Sequence, residues 1–127
     1  MSDLISMPAT AVVEGLKAGQ ISSLDCLDAL EARITTVNSR INALPTLCFD
    51  RARDEARAAE RAVLDGKPLG LLHGLPLGVK DLEATAGLLT TYGSPLYRDN
   101  VPAEDNVLVA RLRASARAAA INEQRME

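Results

Sequence analysis

Aromatic side chains are nearly missing from this chain, which has no tryptophan, one phenylalanine and two tyrosines in 127 residues. A core must therefore be built from Leu, Val, Ile and Ala. Each alanine buries little surface, so stability per residue should be modest. The lack of stacking surfaces and the net charge of −3 argue against a general nucleic-acid binder, which would carry a basic face to neutralise phosphates. Histidine occurs once and cysteine twice, without a Cys-x-x-Cys spacing, so no zinc-type cluster can be assembled. Neither a metal nor an organic cofactor is implied. Isolated thiols suit a reducing compartment. No stretch approaches the roughly 18 apolar residues of a membrane span. Met1-Ser2-Asp3-Leu4-Ile5 lacks the basic region of a signal peptide. The expectation is a cytoplasmic protein without a membrane or nucleic-acid partner.

What is present begins with helices. Val12, Val13 and Leu16 lie at helical spacing, and Gly19 is placed to end that helix. Ser22 and Asp25 form a capping pattern ahead of Leu24, Leu27, Leu30, Ile34, Val37 and Ile41, a continuous apolar stripe. Pro45 keeps Leu44 out of helical geometry. A third helix is predicted from about Phe49 to Leu64. Its buried side is Ala52, Ala56, Ala59 and Val63, its solvated side Arg53, Asp54, Arg57, Glu60 and Arg61. Gly66 and Pro68 stop it. Pro102 and Ala103 lead into a last helix carrying Val107, Leu108, Ala110 and Leu112.

Between these helices the character changes. Pro68, Gly70, Gly74, Pro76 and Gly78 alternate with leucines, a composition that suits a tight loop feeding a buried strand of about residues 75–79. It is not a phosphate-binding loop, because the glycine spacing is wrong and Asp81 stands where Ser or Thr would hold magnesium. His73 has no visible acid or ligand partner and reads as a structural loop residue. Lys80 is the candidate for chemistry. A lysine leaving a packed strand can be desolvated, which disfavours its ammonium form and yields a basic amine. The plain alternative is a surface lysine at a strand end.

Leu72-His73-Gly74-Leu75-Pro76-Leu77-Gly78-Val79-Lys80-Asp81, then Gly87-x-x-Thr90-Thr91-Tyr92-Gly93-Ser94, then Ala103-Glu104-Asp105-Asn106-x-x-Val109-Ala110-Arg111-Leu112-Arg113-Ala114 together resemble the N-terminal part of the amidase signature family. The resemblance spans about residues 6–114. It implies an α/β fold, here mostly helical with one or two β-strands of an incomplete mixed sheet. It implies hydrolysis of carboxamide C–N bonds, or amide transfer, on a small-molecule amide. The machinery so implied is two serines and a lysine, and the lysine maps onto Lys80. That lysine deprotonates a serine held by a cis peptide, and this serine activates the nucleophilic one.

After Ala114 the similarity stops. Residues 115–127 read as a divergent, poorly ordered tail, and no Gly-Gly-Ser-Ser-Gly segment occurs anywhere. Residues 1–114 are thus expected to be the N-terminal part of an amidase signature domain that supplies Lys80 without either serine: a truncated, inactive form. The alternatives are a non-catalytic helical interaction module that self-associates through exposed apolar surface, and one half of a split amidase.

Overall fold

In this computed structural model residues 3–116 and 124–126 are described. Four α-helices dominate: α1 Ala9–Lys17, α2 Ser23–Ile41, α3 Phe49–Leu64 and α4 Val107–Ala116. A short strand, β1 Gly78–Lys80, pairs in parallel with β2 Gln124–Met126. Single 3-10 turns occupy Leu4–Ser6 and Pro95–Tyr97. The chain is mostly helical, with the one or two strands of an incomplete sheet that the sequence suggests.

The ends of α1 and α2 show their causes directly. Gly19, at φ +68°, takes the left-handed conformation that ends α1. Ser22 caps α2 by accepting from the Asp25 N–H at 3.1 Å. Across the helix pair, Glu60 of α3 completes that cap: its Oε1 accepts from the Ser22 hydroxyl at 2.7 Å and from the Leu24 N–H at 3.1 Å. The charge pattern of α3 puts Glu60 on the solvated face, but the structure makes it a tertiary cap. Asn42, at φ 47°, closes α2. The Asn38 amide then bonds both backbone groups of Leu44, at 2.9 and 3.0 Å, and holds the turn toward α3.

Among the described residues the core includes two small clusters. Leu27 of α2 meets Ala52, Ala56 and Ala59 of α3, flanked by Leu24 and Phe49. Val12, Leu16 and Cys26 form the other, with Leu4, Met7, Ile21 and Leu75 packed against it. Burial raises the Cys26 thiol to about 11, with Asp25 adding to the shift; it behaves as a hydrophobe rather than a nucleophile. The α3 face is shifted slightly from expectation, since Ala62 is buried while Val63 is only half-buried. The far end of the α2 stripe also fails to bury: Ile41 is 64% exposed. On α4 the fully buried residues are Val109 and Ala116, whereas Val107 and Leu108 face outward. That helix runs through Ser115 and Ala116, two residues into the stretch that the sequence marks as tail. The tail residues 117–123 and 127 lie outside the described ones.

Leu27→Ala should cost about 2–5 kcal/mol, the usual penalty for emptying a closed core site. Ile41→Ala should change stability by less than about 0.5 kcal/mol. Urea unfolding of both variants checks the contrast.

Candidate active site

The Lys80 strand is seated by the turn before it. His73 is fully buried, its Nε2 3.2 Å from the carbonyl oxygen of Ala59 on α3, which agrees with a structural role. Gly74, at φ +73°, has no room for a side chain, because a Cβ there would stand 2.5 Å from the Ser23 Oγ. Leu75 then packs on the α1–α2 cluster. From this anchor the chain enters β1, three residues later in onset than expected, with Val79 buried and Gly78 and Lys80 exposed.

Lys80 therefore stands at the end of β1 with its side chain in water, not in the dry setting that its sequence context suggests. The burial a basic amine requires is not supplied by the described residues. Its neighbour Asp81 is the buried group, 5% exposed. The Asp81 carboxylate accepts from the Thr91 N–H at 2.7 Å and from the Thr91 hydroxyl, and its carbonyl oxygen accepts from the Tyr92 N–H at 3.1 Å. These bonds hold Tyr92 and Gly93 at positive φ, 53° and 68°. Lys80, Asp81, Leu82, Thr91 and Gly93 line a shallow cavity of about 240 Å³. The geometry makes Asp81 a bracket for the 91–93 turn and leaves Lys80 on the lining of the cavity. Sequence reasoning misses this role of Asp81. The available signal is an acid immediately following a strand, with two threonines about ten residues later.

A second bracket fixes the segment that follows. The Ala86 N–H donates to Asp105 at 2.8 Å and its carbonyl accepts from Arg51 of α3 at 3.1 Å. Asp105 also pairs with Arg113 of α4 at 2.7 Å. The Asn106 side chain donates to the Glu83 carboxylate and caps α4 by accepting from the Val109 N–H at 2.9 Å; its backbone N–H donates to the Ala84 carbonyl at 2.9 Å. Asp105 and Asn106, both motif residues, thus tie α4 to the segment after Lys80. Within this frame Glu55 lies 3.6 Å from Arg51, with one carboxylate oxygen buried and without a hydrogen-bond partner. Burial raises the Glu55 carboxyl to about 7, against the opposing pull of Arg51 and Arg113. Among the described residues no group of three or more His, Cys, Asp or Glu is placed to hold a metal, and no helix is long and apolar enough to cross a membrane.

With the motif residues gathered around one strand end, the sequence profile of the amidase family matches residues 25–119. The chain belongs to the amidase family. It is 41% identical over 104 residues to a glutamyl-tRNA(Gln) amidotransferase subunit of Roseiflexus sp. (strain RS-1), covering 80% of this chain and 21% of that protein. The corresponding subunit of Streptomyces coelicolor is 31% identical over 115 residues, covering 91% and 23%. Among solved structures, a peptide amidase in complex with the competitive inhibitor chymostatin superposes with a TM-score of 0.83 at 30% identity, over 96% of this chain and 25% of that one. The native peptide amidase of Stenotrophomonas maltophilia gives a TM-score of 0.79 at 28% identity, over 95% and 24%. The chain spans about a fifth to a quarter of the length of these relatives.

Glu55 should make stability fall with rising pH. Its folded-state proton affinity is raised, so its contribution is complete below about pH 4.5 and is lost as pH climbs through about 7. Glu55→Gln should flatten that part of the pH–stability curve and stabilise the protein at pH 8 by on the order of 1 kcal/mol, allowing for solvent screening. Denaturant titrations at pH 5 and 8 give the answer. Asp81→Asn should weaken the 91–93 turn, seen as at least tenfold faster hydrogen exchange at the Thr91 and Tyr92 amides.

Proposed function

We propose that this chain is the lysine-bearing N-terminal part of an amidase signature domain and that Lys80 is its proton-transfer residue. One observation carries the reading. Lys80 is held at a strand end by the Gly74 turn before it and the Asp81–Thr91 bracket after it, within the stretch 25–119 that the amidase family model matches. In the reaction the neutral Lys80 amine takes the proton of one serine, and that serine takes the proton of the nucleophilic serine. The nucleophilic oxygen adds to the amide carbonyl, and the C–N bond breaks as the leaving nitrogen is protonated. Water or another nucleophile then releases the acyl group. Both serines must come from outside these 127 residues, which hold no Gly-Gly-Ser-Ser-Gly segment. The chain alone is inactive, because removing members of such a unit abolishes nearly all of its catalysis. The substrate is a small-molecule carboxamide, and the residues that choose among amides belong to the serine-bearing part.

Incubated with aliphatic, aryl and peptide carboxamides, the purified chain should release no ammonia above the uncatalysed rate. Ammonia release that disappears in Lys80→Ala would overturn the claim of inactivity. The role of Lys80 is tested in a chimera in which this chain replaces the aligned 104 residues of the Roseiflexus protein. There Lys80→Ala should lower activity at least a thousandfold, and a loss below tenfold would remove Lys80 from the chemistry.

A further inference from the structure

The ends of three helices border a second cavity, of about 170 Å³. The last turns of α1 and α3 and the first turn of α2 meet there, and Leu16, Ile21, Val63 and Leu64 form its apolar walls. Two polar side chains stand among them. Ser23 is 2% exposed, yet its hydroxyl has no hydrogen-bond partner among the described residues. That hydroxyl is not one of the fully enclosed unpartnered atoms, so it opens onto the cavity that Ser23 lines. Glu60 accepts from the Ser22 hydroxyl and the Leu24 N–H through Oε1 alone. Its Oε2 accepts from none of the described residues. No lysine or arginine lines the cavity, whereas Glu60 does. The site therefore offers hydrogen-bond acceptors and negative charge above an apolar floor.

We infer that this cavity is a binding site for a small primary alkylammonium ion, held by the Ser23 hydroxyl and the Glu60 carboxylate with its hydrocarbon part against the aliphatic walls. Size sets the length of the ligand. An apolar cavity of about 150 Å³ takes a molecule as large as benzene, so this one suits about six heavy atoms. Charge sets the head group. Besides Glu60, the carbonyl ends of α1 and α3 place the negative ends of two helix dipoles at the site. The opposing positive end of α2 is already engaged, because its first N–H groups bond Ser22 and Glu60. An anion would meet the Glu60 carboxylate with no cation to offset it. A neutral alcohol would forgo the charge-assisted bond. An ammonium group brings three donors to acceptors that have capacity to spare. This cavity shares no lining residue with the one beside Lys80, so the inference stands apart from the reading of Lys80.

Titration of the full 127-residue chain with pentylammonium chloride, followed by amide NMR shifts, tests this. One-to-one saturation with a Kd of about 1 mM is expected, the order that six heavy atoms can reach. The largest shifts should fall at 16–23 and 59–64, the stretches that line the cavity. n-Pentanol, equal in size and uncharged, should bind at least about fivefold more weakly. Glu60→Gln keeps an oxygen for the Ser22 and Leu24 bonds and should raise the Kd at least about fivefold, with Ser23→Ala raising it at least about threefold. Absence of saturation by about 20 mM would overturn the inference, since so weak a contact needs no built site. So would shifts centred on 80–93, or n-pentanol binding within fivefold of pentylammonium, which would leave an apolar hole without a head-group site. An unchanged Kd in folded Glu60→Gln would overturn it as well. Should Glu60→Gln lose its helical circular dichroism, Ser23→Ala and the n-pentanol comparison on the parent chain decide by themselves.

Discussion

Everything in this small fold hangs on the close approach that α3 permits. A core with almost no aromatic volume cannot fill wide gaps, so its helices must come together, and Ala52, Ala56 and Ala59 present a surface flat enough for Leu27 to reach it. The same alanine face leaves the Ala59 carbonyl within reach of the buried His73. The tight Gly74 turn can then press against Ser23. Helix packing, rather than sheet formation, is thereby what places β1 and its terminal lysine.

Acidic side chains carry the next level of order. Asp81, Asp105 and Glu60 each take backbone N–H groups from a distant segment, and each thereby spares a turn or helix end an unpaired donor. Their work is done on the backbone, where a charge-assisted bond is stronger than a neutral one. Glu55 is the exception. One of its oxygens is buried with no hydrogen bond, and its carboxyl accordingly keeps its proton far above the usual range.

Lys80 is bracketed on both sides, yet its side chain lies in water. The brackets on either side of Lys80 are made by contacts within this stretch of chain, whereas desolvation demands a covering surface that these contacts do not supply. Positioning is local here; burial is not. Leu82, which lines the same cavity as Lys80, is likewise 53% exposed.

The helices were legible in the sequence because their causes are local. The Ser22–Asp25 cap, the Gly19 and Gly66 stops and the Phe49–Leu64 span follow from backbone chemistry within a few residues. Lys80 and its motif were legible as a resemblance of residue types at fixed spacing, and the family match agrees with that resemblance. Tertiary structure alone decided the rest. That Glu60 caps another helix, that Ala62 is buried in place of Val63, that Asp81 grips Thr91 and that Lys80 lies in water all depend on which segments meet across long separations in the chain. Periodicity says which face of a helix is apolar. It does not say what, if anything, will cover that face, because burial belongs to the assembled surfaces and not to the order of the residues.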